Sequence, residues 1–436
     1  MNFLTIINPN LKINPSVSIF GAVSGSCSVP KWVSNSNKKL GNVGKLGFDS
    51  RFNLGYKNVE SFRNGRGLVE VMCRRAEIEN GEEDAFYMRK CVELAKQAIG
   101  YTSPNPMVGS IIVKHGKIVG QGFHPKAGQP HAEVFALREA GDQAENATAY
   151  VTLEPCNHYG RTPPCSEALI KAKVKKVVVG MVDPNPIVCS RGINKLQEAG
   201  IEVVVGVEED LCKKLNEAFI HKMLSGKPFV TLRYSISVNG VVLDQVGEKV
   251  TECGGYFSKL LQEYDAVIHT SASSTMAQEL SSLRSQEPNA RQPRHILLAT
   301  NQDFLNNLVA ESDCNATVFA NKEVSVGPEL SQKGIEVVVM DHISLDAILE
   351  YLSKQEMTNV LVDLRGKLSD LEEILEEALQ TNSMQKVVVE VLPIWAGTEP
   401  EDSLSSSMMM NHTHSQRLKN LSTRIAGDSI LLEGYF

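Results

Sequence analysis

His131-Ala132-Glu133, Pro155-Cys156 and Cys165 are the residues whose types and spacing could do chemistry. One imidazole and two thiolates make a three-ligand tetrahedral zinc site whose fourth corner is left to water, the arrangement of a catalytic rather than a closed structural zinc. A metal held this way lowers the pKa of that water, so that hydroxide is available near neutral pH. Glu133, two residues past the histidine, is placed to take the proton and hand it to a leaving amine. That is the division of labour of hydrolytic deamination. Taken singly each part is weak, because His-x-Glu arises by chance and free cysteines are common core residues.

The elements that must position these groups can be read around them. Residues 148–154 (TAYVTLE) alternate as a strand that ends at Pro155, so Cys156 is expected at a strand exit. Cys165 follows Pro163-Pro164 and precedes Ser166-Glu167-Ala168-Leu169-Ile170, the start of a helix, where the dipole favours a thiolate. His131 opens a helical stretch to Ala140, with Val134, Phe135 and Leu137 as its expected apolar contacts. Three ligands at three element ends can converge. An earlier helix is expected to present Met88, Val92, Leu94, Ala95 and Ile99 to a core, and residues 107–113 and 117–122 form a hairpin turning at His115-Gly116. A buried strand at 174–179 and another strand at 201–205 flank a short helix at 193–199. Strands alternating with helices imply a three-layer α/β/α sandwich with its site at strand ends beside helix N-termini.

Composition narrows the function classes. The 436 residues, 42% of them hydrophobic, suffice for two domains plus extensions. A net charge of −7 with no long basic stripe argues against a nucleic-acid substrate, whose binding rests on phosphate neutralisation. No apolar run reaches the length of a membrane span. Nine cysteines without paired spacing suit a reducing compartment, and homo-oligomerisation is left open. Residues 1–48 carry lysines and serines but no Asp or Glu, the composition of an organelle transit peptide, with a disordered tail as the competing view. Cleavage is expected between about residue 48 and Arg75, so that residues 1–75 are transit peptide and linker.

A resemblance rests on Thr102-Ser103-Pro104-Asn105-Pro106-Met107-Val108-Gly109, His124-Pro125-Lys126-Ala127-Gly128, the PHAE around His131 and the PCNHYGRTPPC from Pro155 to Cys165. These motifs resemble the pyrimidine deaminase family of riboflavin biosynthesis, and the whole chain is similar to the plant, plastid-targeted form. The nine-residue step from Cys156 to Cys165 is specific to that family and differs from the short C-x-x-C of nucleoside deaminases. The resemblance implies a cytidine-deaminase-like domain over residues 80–226, a zinc cofactor, a pyrimidine ribosyl phosphate as substrate and location in the plastid stroma. It makes His158 and Arg161, between the two cysteines, candidate phosphate contacts; a solvated turn is the alternative for Arg161. Asn105 has a two-sided amide suited to ribose or base edges, and His124 and Lys126 are weaker candidates for the same pocket.

Gly226-Lys227-Pro228 marks the expected boundary. Strand-like runs follow at 229–235, 266–269, 295–299, 336–340, 360–362 and 386–392, with one final strand expected in 418–436. This half, residues 227–436, resembles the reductase domain of the bacterial bifunctional enzymes, of dihydrofolate reductase type. It departs from that pattern at three places. Ser237-Val238-Asn239-Gly240-Val241 replaces Ser-Leu-Asp-Gly-Lys, and Asp363-Leu364-Arg365-Gly366 replaces a Glu-Gly-Gly run. Residues 269–285 lack paired aspartates before a proline. Leu364 and Arg365 are expected to place side chains where backbone should approach cofactor phosphates. The expectation is a deaminase with a degenerate reductase domain and no nicotinamide site. The runner-up is a bifunctional deaminase and NADPH-dependent reductase, and a non-catalytic zinc scaffold stands as a third class. Residues 403–416, with Met408-Met409-Met410 and His412, read as a low-complexity loop and not as a metal site.

Overall fold

Hydrophobic alternation in the first half builds one sheet with two apolar faces. The structure is a computed structural model that describes residues 81–159, 163–186, 188–269, 283–299, 316–322, 330, 332, 334–364, 378–397 and 417–436. The expected transit segment, Arg161, Arg365, Gly366, most of 269–285 and the 403–416 loop lie outside the described residues.

A helix over residues 81–95, α1, comes first, and five strands follow it: β1 (Gly109–Lys114), β2 (Lys117–Phe123), β3 (Thr148–Leu153), β4 (Lys176–Met181) and β5 (Glu202–Val205). They order as β2-β1-β3-β4-β5, with β2-β1 and β1-β3 antiparallel and β3-β4 and β4-β5 parallel. The hairpin turns at His115 and Gly116, both with positive φ (50° and 69°), as a two-residue turn matched to strand twist requires. Alternate residues serve opposite layers. Ile112, Ala149, Val151, Val177 and Val179 face α2 (Ala132–Ala140), α3 (Cys165–Lys171) and α4 (Arg191–Glu198). Ile111, Val113, Tyr150 and Val178 face α1 and α5 (Glu209–Leu215). The expected α/β/α sandwich is therefore present.

Leu137 and Leu94 pack against the core as expected, but the fully buried faces of their helices are made by other residues. The buried face of α2 is Ala132, Glu133, Ala136 and Ala140, whereas Val134, Phe135 and Leu137 are only half-buried. The reason is close approach: a Cβ on Gly120 would stand 2.2 Å from the Ala136 carbonyl oxygen, and one on Gly122 would stand 2.6 Å from that of Ala132. Small residues on both sides let the helix lie directly on β2. In α1, Leu94 packs against the core while half-buried, as expected, and the fully covered face is Tyr87, Met88, Cys91, Val92 and Ala95.

Helix α6 (Glu217–Ser225) follows α5 after Asn216 and ends at Gly226, whose φ of 76° and N–H to the Lys222 carbonyl make it a left-handed C-terminal cap. Phe229 then opens a ten-stranded sheet. Its path is β11-β10-β9-β8-β12-β6-β13-β15-β14, with β7 (Val242–Leu243) pairing off β6. The strands are β6 (Phe229–Ser237), β8 (Ala266–His269), β9 (Arg294–Ala299), β10 (Ala316–Asn321), β11 (Glu336–Met340), β12 (Asn359–Leu364), β13 (Lys386–Leu392), β14 (Lys419–Ala426) and β15 (Ser429–Tyr435). Strands β11 to β13 run parallel along this path, and β15 and β14 are antiparallel additions. Helices α7 (Tyr256–Gln262) and α8 (Leu345–Lys354) cover opposite faces. The single terminal strand expected from sequence is in fact a hairpin, folded at Gly427 with φ 65°. Strand β10 and helices α5 to α8 were not read from the sequence.

Candidate active site

Each functional side chain sits at the end of an element. His131 is the N-cap of α2, with extended backbone (φ −75°, ψ 164°), and Glu133 stands in the first turn of that helix. Cys156 lies just past β3, and Cys165 is the first residue of α3, after Pro164. The backbone N–H of Ser166 donates to the Cys156 carbonyl (3.2 Å) and that of Cys165 to the Cys156 sulfur (3.3 Å), so α3 and the strand exit are held together at the two thiols.

The three expected ligands converge. His131 Nδ1 lies 3.6 Å from Cys156 Sγ and 3.4 Å from Cys165 Sγ, and all three atoms are within 4.8 Å of one another. Tetrahedral zinc–nitrogen and zinc–sulfur bonds set ligand atoms about 3.3–3.8 Å apart, so the spacing suits that ion. Electrostatics agree. The Cys165 thiol hydrogen-bonds to Cys156 and, with His131 nearby, pulls the Cys156 thiol down to about 4, while Cys165 is raised by that same bond and by burial.

Glu133 is 3% exposed, and its Oε2 is buried with no hydrogen-bond partner. Burial pushes its carboxyl up to about 7, with the Cys156 charge adding to the effect and His131 opposing it. A lone buried carboxylate oxygen costs on the order of 1–3 kcal/mol unless something else in the site satisfies it. An orphaned acceptor beside a His/Cys/Cys group fits a metal with a bound water. A carboxyl whose pKa lies near neutral can act as a general acid or base.

A cavity of about 250 Å³ opens on His131, Glu133 and Cys156, lined also by Asn105, Pro106, Val108, His124, Leu153, Glu154, His158, Asp183, Asn185, Val188, Phe219 and Met223. Among the expected substrate contacts, Asn105, His124 and His158 line it. His124 is 2% exposed; its Nδ1 meets the Pro130 carbonyl (3.1 Å), which leaves Nε2 to accept from Asn105 Nδ2 (3.1 Å). Burial lowers the His124 pKa, which keeps the ring neutral for that pairing. The amide oxygen of Asn105 is thereby turned away from His124. Lys126 departs from expectation: it is exposed, in the turn closed by Gln129 N to Lys126 O (3.1 Å), and is not part of the cavity wall.

Several wall residues were not anticipated. Glu154, 5% exposed, accepts four backbone N–H groups: Gly192 (2.8 Å) and Ile193 (3.3 Å) on Oε1, Ser190 (3.0 Å) and Asp183 (3.2 Å) on Oε2. Four donors offset the desolvation of one carboxylate and fix the backbone at Asp183 and from Ser190 to Ile193, and Asp183 and Asn185 line the cavity. A Cβ on Gly192 would stand 1.9 Å from the Pro155 carbonyl oxygen, so this close approach demands glycine. The available signal was an acidic residue ending an apolar strand. Phe219 and Met223, one turn apart on α6, had no signal, because that helix was not foreseen.

In the second half, Asn239 is spent locally: its Oδ1 accepts from Ser237 Oγ (2.8 Å) and Ala396 N (3.0 Å), and its Nδ2 donates to Ala396 O (2.9 Å). Asp363 accepts from Arg233 (3.1 Å), whose guanidinium also donates to Tyr256 Oη (2.9 Å), Ser235 Oγ (2.7 Å) and Glu390 in a wholly buried cluster. Burial works against the Arg233 charge, but Asp363, Tyr256 and Glu390 outweigh it and hold the pKa above its ordinary value. Leu364 corrects an expectation, since it is 1% exposed and packs into the core, so its side chain does not project toward a phosphate. Among the described residues no helix is long and apolar enough to cross a membrane.

Comparison with known proteins places this geometry. Residues 81–181 match the family model of the cytidine and deoxycytidylate deaminase zinc-binding region. The chain is 54% identical over 388 residues to the chloroplastic riboflavin biosynthesis protein PYRD of Arabidopsis thaliana, covering 87% of this chain and 89% of that one. It is 37% identical to the riboflavin biosynthesis protein RibD of Synechocystis, covering 81% and 96%. Among solved structures, RibD of Acinetobacter baumannii superposes with a TM-score of 0.67 at 33% identity, over 82% of this chain and 99% of that one. A Thermotoga maritima diaminohydroxyphosphoribosylaminopyrimidine deaminase/5-amino-6-(5-phosphoribosylamino)uracil reductase does so with a TM-score of 0.67 at 28% identity, over the same shares. Because these likenesses span the five-stranded and the ten-stranded halves together, the chain belongs to the riboflavin biosynthesis family of the plant PYRD and bacterial RibD proteins.

Proposed function

We propose that the chain is a zinc-dependent hydrolytic deaminase of riboflavin biosynthesis. It converts 2,5-diamino-6-ribosylamino-4(3H)-pyrimidinone 5′-phosphate to 5-amino-6-ribosylaminouracil 5′-phosphate and ammonia. The observation that carries the reading is the unpartnered, buried Oε2 of Glu133 beside His131, Cys156 and Cys165. Nδ1 of His131 and the two sulfurs would hold a zinc ion, which when bound supplies a Lewis acid that makes water nucleophilic at neutral pH. Glu133 accepts the proton from the attacking water and gives it to the departing 2-amino nitrogen. A carboxyl held near 7 can do both, because neither proton transfer is steeply uphill. Asn105, oriented by neutral His124, presents its amide oxygen to a donor on the substrate. Burial of the cavity floor keeps competing water away from these bonds.

His158, on the cavity wall, and Arg161, in the same inter-cysteine segment, are assigned to the 5′-phosphate. Arg161→Ala should raise KM for the phosphorylated pyrimidine by roughly tenfold, the loss of one charged hydrogen-bond pair, with much less effect on the dephosphorylated analogue. Equal effects on both substrates in steady-state assays would remove Arg161 from the phosphate. The site test is an assay of ammonia release from the diaminopyrimidine phosphate, run with and without NADPH. Ammonia release independent of NADPH is expected; no release would overturn the deaminase reading.

The bifunctional alternative is disfavoured by Asn239, bonded to Ala396, and by Asp363, paired with Arg233. NADPH should therefore leave the melting temperature unchanged, since a ligand stabilises only a state it binds. A dose-dependent rise, together with reduced ribitylamino product, would restore the reductase. We further assign residues 1–75 to a transit segment and linker, 80–226 to the deaminase domain and 227–436 to the reductase-like domain. The plastid stroma is the assigned compartment, a reading supported by the chloroplastic relatives and the acid-free N-terminus.

A further inference from the structure

Asn105 stands on a segment, residues 100–107, that is gripped from the ten-stranded half of the chain. Gly100, with φ 80°, lies so close to the Gln262 carbonyl that a Cβ would come within 2.4 Å of its oxygen. Three residues on, Ser103 Oγ donates to Asp265 Oδ2 at 2.7 Å and lies 3.3 Å from Thr358 Oγ1. Asp265 precedes β8, is 6% exposed, and is immobilised by its own half. The same Oδ2 accepts from Thr358 N (2.7 Å), Thr358 Oγ1 (3.0 Å) and Asn359 N (3.2 Å), while Oδ1 accepts from Arg291 Nη1 (3.2 Å). At the far end of the segment, Asn216 clamps Met107 with two bonds, to its N–H (2.8 Å) and from Nδ2 to its carbonyl (2.9 Å).

We propose that Asp265 is a positioning residue for the deamination: acting through Ser103, it fixes the 102–107 loop and so the place of Asn105 in the substrate cavity. The reductase-like half is then a template against which one wall of the deaminase site is set. Charge-assisted hydrogen bonds of this length hold geometry more firmly than neutral ones, and the carboxylate is rigid before Ser103 meets it. The inference rests on the deaminase reading of the cavity, because it assigns Asn105 to substrate.

Ser103→Ala in the full-length chain removes the cross-domain donor and leaves every bond within the ten-stranded half intact. It should raise KM roughly tenfold, the equivalent of one hydrogen bond to a charged group, with little change in kcat or zinc content and a modest fall in melting temperature. Ser103→Thr keeps the hydroxyl and should restore KM. Asp265→Asn should raise KM in the same direction and also lower the melting temperature, since Asp265 ties β12 to β8. The backbone amides of Thr102, residue 103, Asn105 and Met107 should exchange with deuterium faster in Ser103→Ala, while those of β4 stay unchanged. Unaltered KM and exchange in Ser103→Ala would overturn the proposal. Absence of ammonia release by the wild-type chain would instead defeat the deaminase reading, and exchange alone would then decide whether Asp265 holds the loop.

Discussion

Glu133→Gln should retain the metal and lose turnover, with kcat falling between about 10²- and 10⁴-fold, the range for removing a general acid/base. The amide fills the same volume at a position 3% exposed, so the fold and the approach of α2 to β2 are preserved. It cannot carry a proton between water and a leaving amine at neutral pH. Because the reacting groups still bind, KM should change little, and the loss should appear in kcat. Metal content, measured alongside the kinetics, separates this outcome from simple loss of the site. Turnover near that of the wild type would remove Glu133 from the proton transfer.

Cys165→Ser should release the metal, with stoichiometry falling toward zero and activity falling with it. A hydroxyl is not ionised near neutral pH, so the replacement leaves His131 and Cys156 as two ligands where three converge. Cys156→Ser should act similarly and also lose the thiolate that the Cys165 N–H and thiol stabilise. Since metal affinity is also folding free energy, the wild-type melting temperature should drop on chelation and the variants should no longer respond to chelator. Elemental analysis of the purified proteins checks the first part and calorimetry the second. Full stoichiometry in both variants would place the metal elsewhere.

What the sequence determined by itself was local in origin. His131, Glu133, Cys156 and Cys165 were legible because ligand chemistry selects few residue types and because proline and strand alternation mark where each must stand. The α/β/α layering followed from period-two runs such as residues 148–154, whose alternate side chains serve the two opposite faces. Gly226 was legible as an interruption of regular structure, and it ends α6 as a left-handed cap. Tertiary structure decided the rest. Helix α6 brings Phe219 and Met223 to the cavity, yet none of its residues is fully buried, so periodicity offered little contrast. The buried face of α2 proved to be alanine because Gly120 and Gly122 admit a helix at close range, a fact of pairing between two elements and not of either alone. Lys126 sits in the right stretch of sequence but is exposed and off the cavity wall. Glu154 and Asp265 look like ordinary surface acids until the chain folds, when backbone donors distant in sequence converge on them. A buried carboxylate is held by donors it meets only in three dimensions, so its role is invisible to spacing rules, which see only neighbours along the chain.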